Sequence, residues 1–171
     1  EGKAVQLQLE AEERDHYGRW LAHVVLADGT NVEEVLLKEG LVAAIAIPPN
    51  VAQVQRHQVA EAQARKARRG LWKEPYFQPI AAESLTTDHT GFHFVLGRVT
   101  HVGRSKKFVY LDIGAHFALR IAHSDWRQYF QGLPDDWRGI TLVARGWISA
   151  QNGRLHMGIG HPAMLERTPN L

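Results

Sequence analysis

Val5, Leu7 and Leu9 alternate with Gln6, Gln8 and Glu10, a period of two that sends every second side chain to one face of a strand. Asp15-His-Tyr-Gly18 supplies turn chemistry, and Arg19 to Leu26 is apolar and β-branched enough to return beside the first strand. The opening of the chain therefore predicts an antiparallel pair over 4–12 and 19–26. Two strands cannot close a barrel, and a lone pair leaves unpaired edges and an apolar face that calls for a cover. No other feature constrains the fold as much.

The next segment has helical signals. Asn31 with Glu34 three residues on reads as an N-cap and its capping-box partner, Val32, Val35 and Leu36 form an apolar stripe, and Gly40 stands where a helix end favours positive φ. This predicts a helix over 31–39. Leu41 to Ile47 is an apolar run stopped by Pro48-Pro49, after which Asn50 is expected to cap a second helix running to Arg69-Gly70. From Lys73 to Gly91 periodicity disappears among Pro75, Pro79, Ser84 and Thr86-Thr-Asp-His-Thr90, which reads as a linker. Beyond it the pattern predicts strands at 93–102, 107–113 and 116–122, a helix at 124–131, a strand at 140–149, an Asn152-Gly153 hairpin and a strand at 154–160. Three strands, a helix and two strands is the order of a five-stranded OB-type Greek-key barrel.

The run Asp15-His-Tyr-Gly-Arg-Trp-Leu-Ala22, followed by Glu61-Ala-Gln-Ala-Arg-Lys-Ala-Arg-Arg-Gly-Leu-Trp72, resembles the C-terminal half of a staphylococcal-nuclease-like domain. More loosely, Arg145-Gly-Trp-Ile, Gln151-Asn-Gly, Gly160-His-Pro and Leu165-Glu resemble the β-rich domain that follows it in some bacterial members. The expected fold class is mainly β with helices (α+β). It comprises an incomplete nuclease-type unit of two strands and two helices over 1–73, a linker over 74–91 and an OB-like barrel over 92–171.

The resemblance implies a metal-dependent nuclease in which Arg19 faces the scissile phosphate, Tyr17 contacts a ligand phosphate and His16 stands where a phosphate-proximal lysine occurs. It also implies calcium. The family's calcium-binding aspartates, second arginine and general-base glutamate lie on earlier strands, so no metal ligand is expected in this chain, which is expected to be inactive alone. The chain begins with Glu1, which points to a fragment or processed product. It is expected to self-associate or to pair with an N-terminal segment. One departure is Ala44-Ile-Ala-Ile47, which lacks the tyrosines that stack a nucleotide base in some members. The compartment stays undetermined from the residues; the resemblance alone points to a secreted or periplasmic protein.

Composition narrows the partners. With 171 residues, 44% hydrophobic and 22% charged, the chain has ordinary globular content for one or two domains, and a formal charge of +2 means that any anion-binding face arises from local clustering. Zero cysteines exclude disulfides and thiolate metal sites. No apolar run reaches the ~20 residues that span a bilayer, so no membrane partner is expected. In the C-terminal part Arg104, Lys106 and Lys107 flank Phe108 and Tyr110, a pattern fit for single-stranded nucleic acid, whose bases stack on aromatics within a basic groove. Barrel alternation sends about half of the aromatics inward as core. Arg56, Arg65, Lys66, Arg68 and Arg69 form either a phosphate track or a solvated helix face. The ten histidines show no paired metal-ligand spacing. Three readings remain open: a nuclease fragment with an auxiliary binding domain, a non-catalytic nucleic-acid-binding scaffold, and a protein-interaction module.

Overall fold

A computed structural model of the chain describes residues 2, 4–151 and 153–168. It divides into two compact units, Glu1–Pro75 and Tyr76–Leu171. The fold is mixed α and β: a two-stranded sheet with helices in the first unit, and a seven-stranded sheet in the second.

In the first unit β1 (Val5–Arg14) pairs antiparallel with β2 (Trp20–Leu26). The register sets Val5 against Leu26, Leu7 against Val24 and Leu9 against Ala22, so the apolar residues share one face of the hairpin. That face is not covered: Val5, Leu7 and Leu9 are 49%, 50% and 42% exposed. The alternation thus builds the strand, while the burial it calls for is not supplied among the described residues.

Helix α1 (Val32–Lys38) starts where the sequence predicts, with the Asn31 side chain accepting from the Glu34 amide at 2.9 Å. The return bond of a capping box is not made. The Glu34 carboxylate instead meets Lys38 at 2.6 Å and Arg56 at 2.5 Å, because two cations offer more than one orphan amide. Helix α2 (Val54–Lys66) begins later than expected, without a side-chain cap. Asn50 is not its cap: the Asn50 amide bonds both the N–H and the carbonyl of Glu12, at 2.9 and 2.7 Å, standing in for a neighbouring strand on β1.

The end of α1 lies against the segment after α2. A Cβ on Gly40 would sit 2.4 Å from the Arg69 carbonyl oxygen, and one on Gly70 would sit 2.2 Å from that of Gly40. Both glycines also have positive φ, so this backbone crossing, closed by Leu71 N–H donating to the Gly40 carbonyl at 2.8 Å, admits no side chain at either position. Leu37, Ala60, Ala64 and Trp72 form the small core beside it.

In the second unit β4 (Gly91–Arg104), β5 (Phe108–Ile113), β6 (Phe117–Ala122), β7 (Thr141–Gln151) and β8 (Arg154–Gly158) carry the sheet. β4 pairs with β5, β5 with β6, β6 in parallel with β8, β8 with β7, and β7 back with the first half of β4. The pairings form a partly closed ring, with α3 (His123–Tyr129) between its third and fourth strands. Alternation fills the interior: Val109, Leu111 and Ile113 of β5 and Phe117, Leu119 and Ile121 of β6 are at most 1% exposed. Each such side chain contributes roughly 1.5–3 kcal/mol on burial. Asn152 of the expected hairpin lies outside the described residues, and Gly153 has φ of 73°.

The stretch 74–91 carries short elements of its own. β3 (Ile80–Ala81) runs parallel to Val95–Leu96 of β4, and the Tyr76 hydroxyl donates to the Phe92 carbonyl at 2.9 Å. On the other side of the sheet β9 (Leu165–Arg167) pairs with β7.

Candidate functional site

The turn between β1 and β2 is built around one carboxylate. Asp15 Oδ1 accepts from the amides of Tyr17 and Arg19, both at 2.9 Å, an Asx-type closure. Backbone bonds from Asp15 N–H to the Arg19 carbonyl and from Gly18 N–H to the Asp15 carbonyl, at 3.0 and 2.9 Å, complete it. Gly18 has φ of 81° with nothing within 4 Å of a would-be Cβ. Its glycine is needed for the left-handed turn; crowding plays no part. Arg14 fastens the base of the turn, donating to the Gly18 carbonyl at 2.8 Å with its guanidinium 3.6 Å from the centre of the Trp20 ring.

Arg19 projects from this frame. Its side chain is 75% exposed, yet Nε and Nη2 both lie 2.6 Å from Asp15 Oδ2. The guanidinium sits 5.3 Å from the Tyr17 ring, and the His16 and Tyr17 rings are 3.8 Å apart. The structure therefore gathers His16, Tyr17 and Arg19 on one turn. Desolvation is the largest single influence on the Asp15 carboxyl and raises it, but the hydrogen bonds from Arg19 and Tyr17 and the guanidinium charge together prevail and hold its pKa below the usual value.

A cavity of about 640 Å³ runs from Asp15, His16 and Arg19 to an apolar wall of Leu37, Val42 and Ile45 and to a group of acids and histidines. There Glu10 Oε1 lies 2.5 Å from His23 Nε2, and Glu10 Oε2 accepts from the Ala52 amide at 3.0 Å. Glu33 Oε1 accepts from the Val24 amide at 3.1 Å and is 3.8 Å from His23 Nδ1. The His57 ring is 5.6 Å from that of His23, and burial, then the charge of His23, lower the His57 pKa. Glu33 Oε2 and His57 Nε2 are buried without a hydrogen-bond partner among the described atoms. Sequence reasoning missed this cluster. Its residues are scattered over two strands and two helices, and the one usable signal was Glu10 and His23 on the polar face of the hairpin. Among the described residues no group of three or more His, Asp or Glu is placed to hold a metal ion.

The basic residues of α2 and its exit are largely tied down. Arg56 pairs with Glu34, Arg65 approaches Glu61 at 3.9 Å and covers the Trp72 ring at 5.1 Å, and Arg69 donates to the Lys38 carbonyl at 3.2 Å. This arrangement answers to a solvated helix face.

In the second unit Phe108 and Tyr110 point outward from β5, partly exposed. Their rings are 6.3 Å apart; Arg120 of β6 covers Phe108 at 4.8 Å, and His156 of β8 is 6.3 Å from Tyr110. Tyr110 faces Arg120 in register, and Arg120 faces Gly158. Lys106 and Lys107 are exposed at the β4–β5 turn, whereas Arg104 is paired with Asp135 at 2.5 Å. The structure thus adds Arg120 and His156 to the expected group. Burial, then the charges of Arg154 and Arg120, lower the His156 pKa, which keeps the ring neutral at neutral pH.

Residues 2–74 match the family model described as staphylococcal nuclease homologue. The chain is 38% identical over 73 residues to endonuclease YncB of Bacillus subtilis, covering 40% of this chain and 34% of that protein. It is 38% identical over 68 residues to the thermonuclease of Staphylococcus hyicus, covering 40% of each. Over 75 residues it is 35% identical to endonuclease YhcR of Bacillus subtilis, covering 43% of this chain and 6% of that protein. The chain thus spans less than half the length of these curated relatives.

Proposed function

Because residues 2–74 belong to the staphylococcal nuclease homologue family, we propose that the chain is part of a nuclease and that Arg19 is its transition-state donor. The observation that carries this reading is an exposed guanidinium held at the tip of a turn by the less exposed carboxylate of Asp15. Phosphodiester cleavage builds negative charge on equatorial phosphate oxygens, and a planar guanidinium donates two parallel hydrogen bonds to them. Tyr17 and His16 stand beside it as further phosphate contacts.

Calcium is the metal this reading brings with it, and the described residues do not fit that ion. Glu10 is turned to His23 and the Ala52 amide, Glu33 Oε1 to the Val24 amide and Asp15 to Arg19, so that Glu33 Oε2 is a single open carboxylate oxygen where the ion takes about six to eight oxygen ligands. Activation of the attacking water falls to groups beyond this residue set. In the second unit, the OB-like ring offers Phe108, Tyr110 and Arg120, with Lys106 and Lys107 at its rim, to single-stranded nucleic acid, while Arg104 is held by Asp135. The open apolar face of β1 favours a further partner: a strand of another segment or of a second copy.

Complementation tests the reading. The chain alone shows no calcium-dependent cleavage; mixed with or fused to the part of the Staphylococcus hyicus thermonuclease outside its matched region, it cleaves. Arg19→Ala then lowers the restored rate by about 10²–10³-fold, the cost of losing one such donor, and leaves assembly intact. Cleavage by the chain alone, or restored cleavage indifferent to Arg19→Ala, overturns the proposal. Assembly without cleavage points to a binding scaffold instead.

A further inference from the structure

Arg19 carries five N–H donors in a fixed fork, and the way Asp15 engages them is selective. A single oxygen, Oδ2, takes both Nε–H and one Nη2–H, each at 2.6 Å. Those two donors form the side edge of the guanidinium. The end edge, formed by Nη1 and the other Nη2 hydrogen, is directed away from that oxygen. The other Asp15 oxygen is engaged separately by the amides of Tyr17 and Arg19, so one carboxylate sets both the backbone of the turn and the orientation of the fork.

We propose that Asp15 is a positioning residue that closes the side edge of Arg19 and presents its end edge to a phosphoryl group. The catalytic meaning of this orientation rests on the nuclease reading; the choice of edge does not. Three features support it beyond the contact itself. Asp15 is 14% exposed against 75% for Arg19, so the anchor is fixed and the donor is reachable. The Tyr17 ring lies 5.3 Å from the guanidinium, within cation–π range, on the same turn. The Asp15 carboxyl is held below its usual pKa by its contacts with Arg19, so the clamp stays charged at neutral pH. Orientation of this kind matters because bidentate recognition depends on which pair of parallel N–H bonds meets the two oxygens.

Asparagine separates the two tasks of Asp15. Asp15→Asn keeps an oxygen for the Tyr17 and Arg19 amides, but puts an NH₂ group where Oδ2 accepted, so the turn persists and the clamp opens. The test is a titration of the ¹⁵N-labelled full chain with inorganic phosphate, following the Arg19 Nε–Hε and Nη resonances at low temperature. In the wild type the Nε–Hε signal is displaced from that of free arginine and stays still as phosphate is added, while the Nη signals move. In Asp15→Asn the Nε–Hε signal starts near the free position and moves with phosphate, and affinity rises by no more than about fivefold as one competing surface charge is removed. Unchanged Tyr17 and Arg19 amide shifts verify that the turn is intact; if they move, an Asp15→Glu chain, which keeps the charge and lengthens the reach, supplies the comparison with Nε–Hε again still.

A wild-type Nε–Hε signal that moves with phosphate as far as in the asparagine variant overturns the proposal, because Asp15 is then a competitor that phosphate displaces. No movement of any Arg19 signal in either chain overturns it too. Cleavage plays no part in the readout, so failure of complementation leaves this result standing, and failure here leaves the complementation result standing.

Discussion

The two units meet the same demand, burial of alternating strand residues, with opposite success. In the second unit the strand pairings return to their start, and all the largest fully buried side chains among the described residues, from Phe94 and Phe117 to Val109, belong to it. In the first unit the hairpin has just two strands, and its core reduces to Leu37, Trp72, Val25 and a few alanines. Its acids make up part of the difference: Glu61, 2% exposed, accepts from the Ala44 amide at 2.6 Å, while Glu10 and Glu33 tie β1, β2 and the α2 approach to His23. A ring closes its core by topology. An open hairpin leans on polar ties, and those are more sensitive to pH and to the loss of single groups.

The largest effect that sharpens this contrast lies in the ring. Phe117→Ala removes a ring that is 1% exposed and is expected to cost about 3–5 kcal/mol of stability. Hydrogen exchange under rising urea reads it, with loss of protection in β4–β8 and little change in α1 and α2. A loss below about 1 kcal/mol would break the claim that the second unit owes its stability to the packed interior. Next comes the outer face of the same ring. Tyr110→Ala is expected to weaken binding of a single-stranded oligonucleotide at low salt by about 1–3 kcal/mol, the worth of one stacked base, in fluorescence anisotropy. Wild-type-like binding by that variant would remove β5 from the binding face.

How far the sequence foretells this molecule follows the same division. Strand alternation and the Asn31 cap are legible because each is a local pattern with one physical meaning, and β5, β6 and α1 lie within a residue or two of expectation. Asn50 misleads because a cap signal is also the signal of a side chain that can mimic a strand's backbone, and Glu12 is the closer partner in space. Arg104 reads in sequence as a free phosphate contact, yet it meets Asp135, which is 31 residues away. The Glu10, His23, Glu33 and His57 cluster is invisible for the same reason: no single element holds more than one of them. The turn at 15–19 is legible as a turn that carries an arginine, but its organisation by both oxygens of Asp15 emerges only in three dimensions.

Acid offers a smaller, graded probe of the contrast. Desolvation would raise the Glu10 carboxyl, but the Ala52 amide and His23 outweigh it and its pKa is lowered; Lys38 and Arg56 lower that of Glu34. A carboxyl with a depressed folded pKa contributes stability that is present above the unfolded value, about 4 for Asp and Glu, and is lost as pH falls through the folded value. Asp15 and Asp28 are lowered as well, whereas Asp135, lowered chiefly by Arg104, is the one such carboxyl resolved in the second unit among the described residues. The first unit is therefore expected to lose its amide dispersion first in an NMR titration from neutral pH downward, and Glu10→Gln should lessen that separation. Simultaneous loss of both units would contradict it.

The smallest expected change concerns the open face itself. Leu7 is 50% exposed and faces Val24 across the hairpin, so in a dilute monomer Leu7→Lys removes little burial and should alter unfolding by no more than about 0.5 kcal/mol. Association is another matter. If a second copy or another strand covers that face, a lysine there places a charge in the contact and leaves its ammonium unpaired, so sedimentation at high concentration should shift toward monomer. The two measurements separate the possibilities. A loss of about 2–3 kcal/mol in the dilute monomer would mean that Leu7 is already buried, and the two units would then differ less than their cores indicate. An unchanged stability with an unchanged association state would leave the face solvated and remove the need for a partner, placing the burden of the first unit's stability on its small core around Leu37 and Trp72, the Glu10, Glu33 and Glu61 ties and the Gly40–Gly70 crossing.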